Sequence, residues 1–111
     1  MIHVLRLRAT QRQLEDILQP LGTYSKLAVD IRRGIVAAGG ILHADCEAAL
    51  LEEGSRQEDV WGADWNPSAQ QVTFELLINI RPRQKNPSLE ILDPAVRERV
   101  AEIVHGLLGG A

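Results

Sequence analysis

His43, Asp45, Cys46 and Glu47 fall within five consecutive residues, HADCE, and place an imidazole, two carboxylates and a thiol side by side. Two chemistries use such groups. A divalent metal accepts imidazole nitrogen and carboxylate oxygen as ligands, with His43, Asp45 and Glu47 as the candidate set. A carboxylate pair beside His43 as general acid or base moves protons without a metal. On a flat strand, side chains at i and i+2 start roughly 6.5–7 Å apart, which is workable for two ligands and strained for three. No second ligand cluster completes the set. No phosphate-binding glycine loop, nucleophile elbow or zinc-protease motif is present either.

What positions these residues decides which of them can act together. Along Leu42–Glu52 a period-two pattern puts Leu42, Ala44, Cys46, Ala48 and Leu50 on one side of a strand, and His43, Asp45 and Glu47 on the other. Cys46 then belongs to the core, as a small apolar residue beside acidic neighbours that disfavour a thiolate. The segment VTFELLINIRP alternates more clearly. Val72, Phe74, Leu76, Ile78 and Ile80 make one apolar face, and Thr73, Glu75, Leu77, Asn79 and Arg81 the other. If both apolar faces meet the helices, Glu75, Asn79 and Arg81 share an open sheet face with His43, Asp45 and Glu47. That face is the candidate catalytic surface. The plain alternative is a polar face kept wet for solubility, with Arg81 in an ordinary cross-strand ion pair. Trp61 and Trp65 lie on one side of their strand. They are candidates for a partner surface, with core packing as the plain alternative. Asp64 and Asn66 add polar groups nearby, and RPRQK contributes a local basic patch through Arg81, Arg83 and Lys85.

The remaining elements follow from local signals. Ile2–Arg8 reads as a first strand. Thr10 and Gln13 have capping-box spacing, and a helix follows with Leu14, Ile17, Leu18 and Leu21 on one stripe. Helical spacing also fits Ser25–Ala38, with Gly39–Gly40 ending it; a strand through LAVDI competes, because Leu27, Val29 and Ile31 alternate. Strands at Leu42–Glu52, Val60–Asn66 and Gln71–Arg81 are separated by turn-rich EEGSRQED and NPSAQ. A loop with an extended piece near Leu89–Leu92 leads to Asp93–Pro94, a strong helix start, and Val96, Val100, Ile103, Val104 and Leu107 form the final apolar stripe. The expected architecture is a two-layer α+β domain over residues 1–111, in the order β-α-α-β-β-β-α. It has an antiparallel sheet of about four strands, with helices mainly on one face.

Composition narrows the class further. A chain of 111 residues with 45% apolar and 24% charged side chains fits one core without disulfides or a structural metal. A net charge of −3 argues against a whole-molecule attraction to nucleic acid or anionic lipid. The lone Cys46 fits a reducing compartment, Arg6 and Arg8 interrupt the early apolar run, and no segment approaches the length of a membrane span. Cytoplasmic placement is the expectation.

The segments GGILHADCE, GSRQ, VWG and INIRP resemble a family of short bacterial proteins, largely cyanobacterial, catalogued as a domain of unknown function. The likeness spans roughly Val29 to Val100. It implies fold boundaries and a bacterial cytosolic home, and no reaction. The element order is also similar to that of ribosome-dependent endoribonuclease toxins, although Asp45, Glu47 and Glu75 on the corresponding face would repel RNA. The functional expectation is a binding or regulatory module acting through oligomerisation or a protein partner. The enzyme alternative is a small metal-assisted hydrolase or nuclease on the polar face, with no cofactor specified.

Overall fold

Thr10 closes the first extended segment and opens the first helix, as its spacing to Gln13 predicts. In the structure, a computed structural model that describes residues 1–110, β1 covers His3–Leu5 and α1 covers Gln11–Leu18. The Gln13 N–H donates to the Thr10 hydroxyl at 3.2 Å, and the Thr10 N–H donates to the Gln13 side-chain oxygen at 2.9 Å. Two of the helix's free N-terminal donors are thereby satisfied.

The region expected as a second helix is instead a hairpin, with β2 at Ser25–Asp30 and β3 at Ile35–Gly40. Asp30 makes the turn: one carboxylate oxygen accepts the N–H groups of Arg32 and Arg33, each at 2.9 Å. Gly34 then takes φ +69, a left-handed conformation that favours glycine. The competing strand through LAVDI is the one that forms. Both of its faces are covered at its centre, so Leu27, Ala28 and Val29 read as a short apolar run, and such a run also fits helical spacing. Gly39, expected at a helix end, lies inside β3, where a Cβ would stand 2.7 Å from the Met1 carbonyl oxygen.

Leu42–Glu52, expected as a strand, is helix α2, spanning His43–Glu52. Ala, Leu and Glu dominate it, and all three are strong helix formers. His43, Cys46, Glu47 and Leu50 recur at i, i+3, i+4 and i+7, which puts them on one face. Strand β4, Val60–Asn66, forms with its expected bounds, but the strand expected over Gln71–Arg81 stops early, as β5 at Gln71–Thr73. From Phe74 the chain leaves the sheet and turns through a short 3-10 segment at Leu77–Asn79. Helix α3, Pro94–Leu108, starts as expected, with the Asp93 carboxylate accepting from the Ala95 N–H at 2.9 Å.

The protein is an α+β fold on one antiparallel sheet, in the spatial order β1-β3-β2-β4-β5. Among the described residues the sheet has five strands in place of about four. The chain order is β-α-β-β-α-β-β-α, so the similarity in element order to the endoribonuclease toxins lapses. Helices α1 and α3 share one face, over Leu27, Val29, Val36, Trp61, Ala63 and Trp65. Helix α2 covers the other, where Cys46 and Leu50 meet Ala28, Ile35, Ala37 and Val60. The expected two layers are therefore three. Among the described residues, no helix is long and apolar enough to cross a membrane.

Candidate functional site

Because α2 is helical, the HADCE residues regroup by a period of 3.6. His43, Cys46 and Glu47 point toward the sheet, and Asp45 points to solvent. The three proposed metal ligands therefore do not converge. Among the described residues, no three His, Cys, Asp or Glu side chains gather as a ligand set. Cys46 is fully buried, as alternation had implied for a different element, and burial pushes its thiol pKa up.

His43 and Glu47 each make one cross-element pair. The His43 imidazole Nε2 lies 2.7 Å from an Asp64 carboxylate oxygen on β4. A carboxylate only accepts, so this nitrogen carries the proton. Glu47 accepts from the Arg81 guanidinium at 3.2 Å. Arg81 also donates to the carbonyls of Ile78 and Gln57 and lies over the Trp61 ring, 4.7 Å from its centre. Burial pulls the Arg81 pKa below its ordinary value, and Glu47 opposes that shift.

Asn79 and Arg81 were expected on an open face and are buried, Asn79 completely. The cause is the short β5. Beyond Thr73 the free edge of β4 has no strand among the described residues, and Asn79 takes its place there. Its side chain accepts from the Gly62 N–H at 2.7 Å and donates to the Gly62 carbonyl at 3.0 Å and the Phe74 carbonyl at 2.9 Å. A side-chain amide thus exchanges two hydrogen bonds with Gly62 as a strand residue would. Gly62 must be glycine for this fit, because a Cβ would come within 2.6 Å of Ile78 and 2.9 Å of Leu76. Trp61 and Trp65 are in the core with α1 and α3, so neither offers a partner surface. Trp65 packs edge-to-face on His105, with ring centres 5.2 Å apart.

The open part of this sheet face is a groove of about 470 Å³ between the start of α2 and the segment after β5. Leu42, Leu76, Leu77, Ile78 and Leu89 wall it, and His43, Lys26 and Glu75 supply its polar groups. Lys26 on β2 stands opposite Asp64 on β4, so His43, Asp64 and Lys26 form one polar row beneath the N-terminal end of α2. Of the six expected catalytic candidates, His43 and Glu75 line this groove. Glu47, Asn79 and Arg81 belong to the buried contacts beside it, and Asp45 faces away. Lys26 is not among the expected site residues, because helical spacing over Ser25–Ala38 does not bring it beside His43. Strand alternation in SKLAVD is the signal that finds it.

Fold and site together define a class: a small α+β protein with one antiparallel sheet between two helical layers, and a mixed apolar and polar groove where the sheet face is left uncovered. The chain belongs to the family described as "Protein of unknown function (DUF5674)", which matches residues 3–107. No curated protein and no solved structure matches it.

Proposed function

We propose that this protein is a binding module that works by associating with a second copy of itself across the groove beside His43. One observation carries the reading: Leu42, Leu77 and Leu89, at 54%, 78% and 42% exposed, cluster around a single concave site. Exposed leucines scattered singly mean little, whereas several at one concavity mark a contact surface. The groove also carries a cation, Lys26, and an anion, Glu75. A site with both signs beside an apolar wall is self-complementary under a two-fold axis, since Lys26 of one copy can meet Glu75 of the other. Sedimentation equilibrium tests this. The wild-type protein is expected to dimerise and Leu77→Asp to remain monomeric with an unchanged circular dichroism spectrum. A wild type that stays monomeric at high concentration ends the proposal.

A second reading, acid–base catalysis at His43, is favoured by the 2.7 Å contact with Asp64. A carboxylate that fixes the tautomer and orientation of an imidazole is the arrangement of a general base and its orienting partner. It predicts hydrolytic turnover that His43→Gln abolishes without loss of stability. The metal-assisted form has less support, because Asp45 faces away. Unchanged melting temperature with added divalent ions would remove it.

A further inference from the structure

A second cavity, of about 790 Å³, lies between the 3-10 turn before β4 and the turn at Pro82–Gln84. Its lining includes three guanidiniums, Arg56, Arg81 and Arg83, against one carboxylate, Glu58. That balance opposes the net −3 of the whole chain.

We propose that this cleft binds a small organic anion, bearing phosphoryl or carboxylate groups, between Arg56 and Arg83 with Arg81 as a fixed floor. The proposal does not depend on self-association at the Leu77 groove. Two of the arginines are available to a ligand. Among the described residues, Arg83 has no ion pair or side-chain hydrogen bond. Arg56 has a single ion pair, 3.7 Å from Glu58, with both side chains more than 60% exposed. An exposed pair of that kind adds little stability, so a ligand displaces it at small cost. The guanidinium fork suits both anion classes, because phosphate and carboxylate oxygens accept paired N–H donors.

The cleft is also held in shape before any ligand arrives. Arg81 and Asn86 exchange both backbone hydrogen bonds, closing the turn that presents Arg83. Buried Asn86 donates to the carbonyls of Asn79, Ser88 and Glu90 and accepts from the Leu92 N–H at 2.8 Å. The Gln84 side chain donates to the Glu58 carbonyl at 2.9 Å, which ties the two walls together. Arg81 is held by Gln57, Ile78 and Glu47, so it contributes an oriented, partly compensated charge rather than a mobile one. The turn is anchored by buried amides, yet the charged side chain at its tip has no partner among the described residues. This is how a preorganised site presents a ligand contact.

The test is an amide chemical-shift titration of the full chain with pyrophosphate and, separately, citrate at low salt. Saturable shifts confined to residues 56–58 and 81–84 are expected, and added salt should weaken the binding. Arg56→Gln with Arg83→Gln should weaken it roughly ten-fold or more, with the melting temperature kept, and Arg83→Lys should retain part of the affinity. Tighter binding of pyrophosphate assigns a phosphoryl ligand; tighter binding of citrate assigns a carboxylate one. Equal binding by the double glutamine variant, or shifts spread over Arg6, Arg8 and Arg12 as well, overturns the site.

Discussion

Asn79 shows how one side chain can substitute for a missing strand. It satisfies both edge groups of Gly62 and the Phe74 carbonyl from a fully buried position. Asn79→Ala leaves those groups buried without partners and opens a void, so we expect a loss of about 3 kcal/mol in urea unfolding. Asn79→Asp keeps the acceptor for the Gly62 N–H and loses both donors, so it should be destabilised as well. If Asn79→Ala stays within about 0.5 kcal/mol of wild type, as exposed substitutions usually do, Asn79 does not hold the edge of β4. The sequence held part of this. VTFELLINIRP alternates well enough to group Asn79 and Arg81 together, and the structure keeps them close. Alternation does not say where a strand stops pairing, and that stop turned an exposed pair into a buried one. Cys46 was legible for the opposite reason, and Trp61 and Trp65, offered as a partner surface, follow the core-packing alternative instead. Small or large apolar side chains in a rich apolar pattern go inside whichever element carries them.

At the scale of elements, α1, β4 and α3 were readable because each has its own local marks: a capping box, a turn on either side, and an Asp–Pro start. Helix α2 has no such mark. Its N-cap is Leu42, which makes no side-chain cap hydrogen bond, so nothing in the sequence announces a helix at His43. Its short apolar residues also satisfy a period of two as well as a period of 3.6. The β2–β3 hairpin failed in the reverse direction: cover on both faces puts Ala28 and Ala37 on the second side, so the alternation of Leu27 and Val29 is weak and helical spacing fits as well. The missing cap gives a direct prediction. Leu42 already has the extended backbone of an N-cap, with φ −119 and ψ 145. Leu42→Ser should therefore stabilise the fold by about 0.5–1 kcal/mol in urea unfolding, through a bond to the open first turn. The same change should weaken dimerisation, because Leu42 walls the groove. A variant that is both less stable and no less dimeric would contradict the helix start and the contact surface together.

For the whole molecule, the consequence of cover on both faces is that one sheet must hold two separate apolar clusters. The larger unites α1 and α3 with the sheet and contains both tryptophans. The smaller unites α2 with the other face through Cys46 and Leu50. Strands β2, β3 and β4 contribute to both clusters, so loosening either layer exposes the same backbone. Cooperative unfolding is the expected result. Leu50 tests it, being fully buried in the smaller cluster. Leu50→Ala should cost about 2–5 kcal/mol, a large share of the roughly 5–15 kcal/mol available to a domain of this size. Trp61 lies under Arg81, the partner of Glu47 on α2. Trp65 fluorescence, read in a Trp61→Phe background for that reason, reports the opposite face, while far-ultraviolet circular dichroism reports α1, α2 and α3 together. If the sheet couples its two layers, Leu50→Ala lowers the urea midpoint equally by both probes. If α2 instead melts as a unit of its own, circular dichroism falls first while the tryptophan signal keeps its wild-type midpoint.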